Sequence, residues 1–194
     1  EVVVSYEAGA DFRPRKAALV SATWFYQKFS DLIQFDGSVP GPVGFGQLRN
    51  VGRAFSRGGE AEGACRFLPQ AALAMTYTWS DTWDAANRRR ILGIPRHRGA
   101  LSLLLSPAPR WEGRIDWRIE SDQLDAPPNG GDPRRPGYAR VDTFAKYRWE
   151  VPSAEFREIA LTGKIQNLLD RRYEERRGFP APGFNFLLGA EVKL

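Results

Sequence analysis

The chain has 194 residues, 28 of them basic and 23 acidic, for a net charge of +5; its mean hydropathy is −0.44. No stretch supplies the roughly 18 consecutive apolar residues of a membrane helix, which excludes a helical membrane protein but not a barrel, whose alternating strands average out to ordinary hydropathy. A lone Cys65 and a lone His97 argue against a disulfide, a metal cluster or a histidine-dependent triad, and the mild basic excess lacks the basic helix or aromatic box of a nucleic-acid binder.

The chain opens on Glu1 and its one methionine is Met75, so we expect either a removed leader or a longer parent sequence. Period-two alternation then predicts about nine strands, near 2–13, 16–35, 50–68, 71–84, 97–107, 110–123, 138–150, 153–168 and 184–194. The first places Val2, Val4 and Tyr6 on one face. In the fourth, Leu73, Met75, Tyr77 and Trp79 alternate with small or hydroxylic residues. The sixth is the clearest: Trp111, Ile115, Trp117 and Ile119 on one side, Glu112, Arg114, Asp116, Arg118 and Glu120 on the other. The last sets Phe186, Leu188, Ala190, Val192 and Leu194 against Leu187, Gly189, Glu191 and Lys193. A helix would scatter such residues around its circumference, whereas a strand gathers each set on one face.

The connections alternate too. Short links at 13–16, 69–70, 107–109 and 151–153 are separated by long polar ones at 36–49, 85–96, 124–137 and 169–183. Tight turns at one end and long loops at the other are the plan of a membrane barrel. Burial points the same way. Five alternating charges in a soluble core would each need a partner at a cost of several kcal/mol, whereas a wet lumen accepts them without one. The expected fold class is all-β, an antiparallel transmembrane β-barrel of long up-and-down strands in one domain, 1–194.

The residues from Asn167-Leu168-Leu169-Asp170 through Tyr173 and Gly178-Phe179-Pro180-Ala181-Pro182-Gly183 to Leu194 resemble the closing segment of TonB-dependent receptors of the siderophore or cobalamin type. Asn167, Leu168, Asp170, Tyr173, Gly178, Pro180, Pro182 and Gly183 carry that motif. Ser5-Tyr6-Glu7-Ala8-Gly9, the stretch from Asn50-Val51-Gly52 to Gly59-Glu60-Ala61-Glu62, and Ile94-Pro95-Arg96-His97 resemble earlier strands of the same family, in the same order. Phe184 departs from the Arg common after Pro-Gly, and Leu194 from the usual terminal Phe. The resemblance implies a barrel of about 22 strands around a plug, of which this chain is a fragment forming the last two-fifths. It implies TonB-energised uptake of a scarce nutrient, a siderophore or cobalamin, across the bacterial outer membrane. The plug and the energy-coupling box that meets the TonB complex would lie amino-terminal to these residues. The expected partners are that complex, lipopolysaccharide and outer-membrane lipid, and a small-molecule nutrient, with no nucleic acid, no cofactor and no enzymatic activity.

Arg88, Arg89, Arg90, Arg134, Arg135 and Arg172 fall in the long links, with Arg171, Arg176 and Arg177. They are candidates to meet lipopolysaccharide phosphates or an anionic ligand, because arginine forks match such groups; an ordinary solvated loop is the simpler and weightier reading. Trp79 and Trp83 read as belt residues, His97 as a rim residue and Cys65 as inert on the apolar face. Asp122, Asp125 and Asp132 do not have calcium-loop spacing. Arg114, Asp116, Arg118 and Glu158 would line the lumen, to meet a plug or to pair with one another. Two other functions compete: a passive or structural barrel such as a porin or autotransporter translocator, and a barrel hydrolase. His97 is the sole candidate base for the hydrolase, and the chain lacks Gly-x-Ser-x-Gly.

Overall fold

The computed structural model describes residues 2–15, 17–36, 39–40, 46–85, 88–125, 133–150 and 157–193. Lys16, Asp132, Leu194, the turn at 151–153 and parts of the links at 36–49, 85–96 and 124–137 lie outside them. Every regular element among the described residues is a strand. In chain order these are β1 (Val2–Arg15), β2 (Ala18–Asp36), β3 (Gln47–Leu68), β4 (Ala71–Asp84), β5 (Arg89–Arg90), β6 (His97–Leu105), β7 (Trp111–Glu120), β8 (Gln123–Leu124), β9 (Arg134–Arg135), β10 (Tyr138–Glu150), β11 (Glu158–Gln166), β12 (Glu174–Arg176), β13 (Phe179–Pro180) and β14 (Asn185–Lys193).

Nine long strands form one sheet in the order β1-β2-β3-β4-β6-β7-β10-β11-β14, each antiparallel to its neighbour. The sheet is open, with β1 and β14 at its edges. Antiparallel order puts the strand ends joined by the four long links at one side of the sheet and those joined by the four short ones at the other, as the length alternation predicts. Boundaries differ at β3, which begins at Gln47 rather than near 50, and the sixth strand is shorter than expected, ending at Glu120. The links are also less plain than their polarity implies. β5 extends β4 as a hairpin, and β8–β9 and β12–β13 form two small ribbons of their own. Two-residue strands leave no period to read, which is why alternation misses them.

Register decides the faces. One row across the sheet reads Leu73, Leu103, Ile115, Thr143, Ile165, Phe186. One residue over, the opposite face reads Leu104, Arg114, Phe144, Lys164, Leu187. Trp117 joins Met75 through Leu101, so Trp111, Ile115, Trp117 and Ile119 share the face of Leu73, Met75 and Tyr77, as the alternation requires. Cys65 pairs with Leu73 on that face and is exposed.

The apolar face has no protein layer over it. Leu188 is 81% exposed, and Phe186, Ile119 and Leu161 are exposed as well. Among the described residues the buried apolar side chains are few: Ala54, Ala71, Ile91, Pro95, Ala160 and Tyr173. So large an apolar surface implies a non-aqueous neighbour. β7 has the right length for lipid: its 10 residues at roughly 3.4 Å each, tilted about 45°, cover about 24 Å, close to the ~25 Å apolar band of a membrane barrel.

The polar face is tighter than it looks. A Cβ added at Gly58 would collide with the Trp79 carbonyl oxygen and with the Phe25 ring. Gly58→Ala is therefore expected to lower stability by about 1–3 kcal/mol, the usual effect of overpacking, measured as a shifted refolding midpoint of the whole barrel in detergent. An unchanged midpoint would mean that the strands part freely at this point.

Candidate functional site: the mouth of the polar face

At the long-link end of the polar face, three of the loops are tied to one another. Gly93 N donates to Leu124 O at 2.7 Å, tying the β4–β6 link to the β7–β10 link. The Arg135 guanidinium donates to the Glu174 carbonyl, and Arg177 donates to the Arg134 carbonyl at 2.9 Å, tying the β7–β10 link to the β11–β14 link. The three links therefore form one cross-tied lip. Arg135 is 7% exposed and pairs with Asp125 at 3.1 Å, so for this residue the solvated-loop reading is wrong. Alternation cannot foresee that burial, because the loops cover one another through contacts distant in sequence.

Asn167 is the keystone of the last link. It is 1% exposed and sits at φ 54°, in the left-handed region that asparagine tolerates. Its backbone N–H donates to Asp142 Oδ1 at 2.9 Å. Its amide donates to the carbonyls of Arg171 (2.9 Å) and Pro182 (3.2 Å), and its Oδ1 accepts from Arg171 N (2.8 Å). Asp170 makes the next tie, accepting Phe184 N at 2.8 Å. A Cβ at Gly183 would stand 2.6 Å from Asp170 Oδ1, so the carboxylate that holds Phe184 N would have to shift. Gly178, at φ 79°, turns β12 into β13 and donates its N–H to Glu174 at 3.0 Å. Pro180 pairs with Glu174 in that ribbon, and Leu168 N donates to Val141 O at 2.8 Å.

Tyr173 completes the lip. Its ring stacks on Tyr138 at 4.1 Å, and its hydroxyl accepts from Arg140 at 2.7 Å. Arg140 also pairs with Asp142 at 3.0 Å and reaches Glu175 at 3.9 Å, yet its buried Nε has no hydrogen-bond partner. Directly opposite on β7 stands Arg118, exposed and outside the ion pairs of the described residues. Like charges in register repel. Next to them Arg98 is held by Glu120 at 3.0 Å. The mouth of the polar face thus sets one guanidinium outside the ion pairs, Arg118, beside a tyrosine pair, which suits an anionic, ring-bearing ligand.

Deeper charges pair along the sheet, one of the two roles open to lumen residues. Arg114 meets Asp116 at 2.8 Å, Lys146 meets Glu191 at 2.7 Å, Lys193 meets Glu158 at 2.8 Å, and Arg148 meets Glu112. These pairs, one within β7, two between neighbouring strands and one reaching across β11, satisfy the side chains without help from a central domain. Among the described residues no three His, Cys, Asp or Glu side chains gather to hold a metal.

The remaining loop arginines scatter. Arg88 is exposed at φ 50°, Arg89 lies 3.9 Å from Asp84, and Arg90 lies 3.8 Å from Asp81 on the apolar side. Burial pushes the Arg90 guanidinium below its ordinary range, and Arg96 adds to the effect while Asp81 opposes it. Arg172 is exposed beside the keystone.

The family model for the TonB dependent receptor-like β-barrel matches residues 1–168. The chain belongs to the TonB-dependent receptor family. No curated protein sequence matches it. The solved structure of the copper transporter OprC superposes with a TM-score of 0.76 at 15% identity, covering 97% of this chain and 31% of that one. The ferric-catecholate import receptor Fiu of E. coli K12, in its open form, gives 0.68 at 18% identity, covering 97% and 26%. The ferric yersiniabactin uptake receptor FyuA of Yersinia pestis gives 0.67 at 18% identity, covering 97% and 29%. This receptor barrel therefore spans about three-tenths of those proteins. The family is one of receptors and transporters of the outer membrane, not of enzymes.

Proposed function

We propose that these residues form the carboxy-terminal barrel wall of an outer-membrane receptor that takes up a scarce nutrient with energy from the TonB complex. The nutrient is an anionic metal chelate of siderophore type rather than cobalamin. The observation behind this choice is the Arg118–Arg140 pair beside the Tyr138–Tyr173 stack, at the end of the polar face where the loops gather. Folds shared with importers of ferric chelates and of copper make such cargo the first to test. Arg88, Arg89, Arg134 and Arg172 are secondary candidates for contact with the arriving ligand, whereas the buried Arg135 holds the lip together.

Uptake of labelled ferric chelates into cells carrying or lacking the gene, with and without TonB, tests the reading. TonB-dependent uptake is expected, and TonB-independent leakage of small solutes would instead describe a passive pore. Arg118→Gln should raise the half-saturating concentration of an anionic chelate about tenfold, the loss of one charge-assisted hydrogen bond of roughly 1.5 kcal/mol. Unchanged half-saturation would remove Arg118 from the ligand path.

A further inference from the structure

The apolar face ends in charge abruptly, and on one side only. Over β1–β4 it carries no charged side chain from the row of Phe12, Val20, Gly63 and Met75 up to the row of Ala8, Trp24, Gly59 and Trp79. Immediately above, the rows become Tyr6, Tyr26, Arg57, Asp81, then Lys28, Phe55, Trp83, Arg90, then Ser30 and Arg53. Arg96, from the strand start after the β4–β6 link, joins them at 3.5 Å from Asp81. Five cations (Lys28, Arg53, Arg57, Arg90 and Arg96) thus share these tiers with Asp81, three of them gathered on its carboxylate, while Asp122 also acts on Arg90.

These charges are held in place. Asp81 is buried and has Arg57 at 3.3 Å, Arg96 at 3.5 Å and Arg90 at 3.8 Å, while its Oδ1 makes no hydrogen bond. One anion therefore orients three guanidinium groups without neutralising them. The outer two remain open, with the Arg57 and Arg96 side chains 56% and 47% exposed. Lys28 lies over the Tyr26 ring at 5.9 Å, and the Trp24 and Tyr26 rings stack at 6.5 Å.

An aromatic tier marks the boundary between hydrocarbon and headgroup. A cationic tier one row farther out therefore stands at the depth of lipid phosphates, and guanidinium forks fit phosphate oxygens in pairs. We propose that this tier binds the phosphates of a glycolipid of the outer leaflet, lipopolysaccharide, on the lipid-facing wall. The inference rests on the membrane-spanning reading of the barrel. It moves the expected lipopolysaccharide contact from the loop arginines Arg88, Arg89, Arg134, Arg135 and Arg172 to Lys28, Arg53 and Arg57, with Arg90 and Arg96 of the link at 85–96 sharing it.

The test uses the full-length receptor purified in detergent and titrated with lipopolysaccharide, with lipid A bearing or lacking its phosphates, and with phosphatidylglycerol, bound lipid being counted by native mass spectrometry. The wild type should retain lipopolysaccharide and phosphorylated lipid A, and should ignore the dephosphorylated form. The combined Lys28→Gln, Arg53→Gln, Arg57→Gln and Arg96→Gln variant should bind about tenfold or more weakly, since each basic residue adds roughly 1 kcal/mol at an anionic surface. Heat-modifiable migration confirms that it is folded. Arg53→Gln alone, at a side chain outside the Asp81 cluster, should weaken binding measurably if the combined variant fails to fold. Equal retention by variant and wild type, or equal binding of phosphatidylglycerol, overturns the proposal. Chelate uptake is read separately and should be unchanged in the variant. Loss of TonB dependence in the wild type would strike the transport reading and leave the lipid site standing.

Discussion

Replacing Ile115 by arginine is expected to destabilise the intact barrel by about 2–4 kcal/mol. Ile115 stands four residues from Trp111 and four from Ile119, in the centre of the row Leu73, Leu103, Ile115, Thr143, Ile165, Phe186. Neither neighbouring row on that face offers an acidic partner, and a guanidinium at mid-depth is too far from either headgroup layer to reach water without distorting the bilayer. A refolding titration into lipid vesicles measures the difference. Arg114→Ile, one residue away on the other face, supplies the contrast. It removes the Arg114–Asp116 pair at 2.8 Å but brings no charge into lipid, so its effect should be far smaller. Equal penalties for the two would mean that the faces are assigned the wrong way round.

Asn167→Ala should have a comparable effect, confined at first to one end of the molecule. The substitution leaves the carbonyls of Arg171 and Pro182 and the N–H of Arg171 without the partners they have now. It also puts alanine at φ 54°, where its Cβ is strained. Buried polar groups left unpaired cost about 1–3 kcal/mol each, so a total on the order of 3 kcal/mol is expected for a site where some water can enter. Limited proteolysis should show new cleavage between Asp170 and Gly183 before global unfolding shifts. Asn167→Gly, which tolerates the backbone angle but keeps none of the side-chain bonds, separates the two contributions. A cleavage pattern identical to the wild type would mean that the loop is held by Tyr173 and Arg140 instead.

The nine-strand meander and the direction of every long strand were legible because period-two alternation survives wherever one face meets an apolar medium. Ile115 and Arg114 could be assigned to opposite faces from the sequence alone, and the register bears that out. The mouth was legible in part. Arg140 drew no attention, because it belongs to a strand with ordinary alternation, and its importance arises from Tyr173, which lies 33 residues away. Arg135 was read as a loop charge because nothing local reports that Asp125 and Glu174 enclose it. Lys28, Arg53 and Arg57 did carry a signal, as charges in phase with the apolar set. That phase could be recognised as meaningful only once Trp24, Tyr26 and Trp79 were known to lie in adjoining rows.

The neighbour-only pairing of the sheet has a kinetic consequence. Each ladder joins strands that follow one another along the meander, separated by no more than a turn or one link, so no step of assembly within these residues must close a large loop of disordered chain. The sheet can grow hairpin by hairpin from any starting pair, and the Asn167 clasp lets β10, β11 and β14 consolidate as an early unit. In the proposed receptor barrel the slow event left is the pairing made by the two open edges, β1 and β14, that closes the wall. Mutations inside the meander should therefore alter how long the assembled wall survives more than how fast it forms, while the rate of assembly is set at β1 and β14.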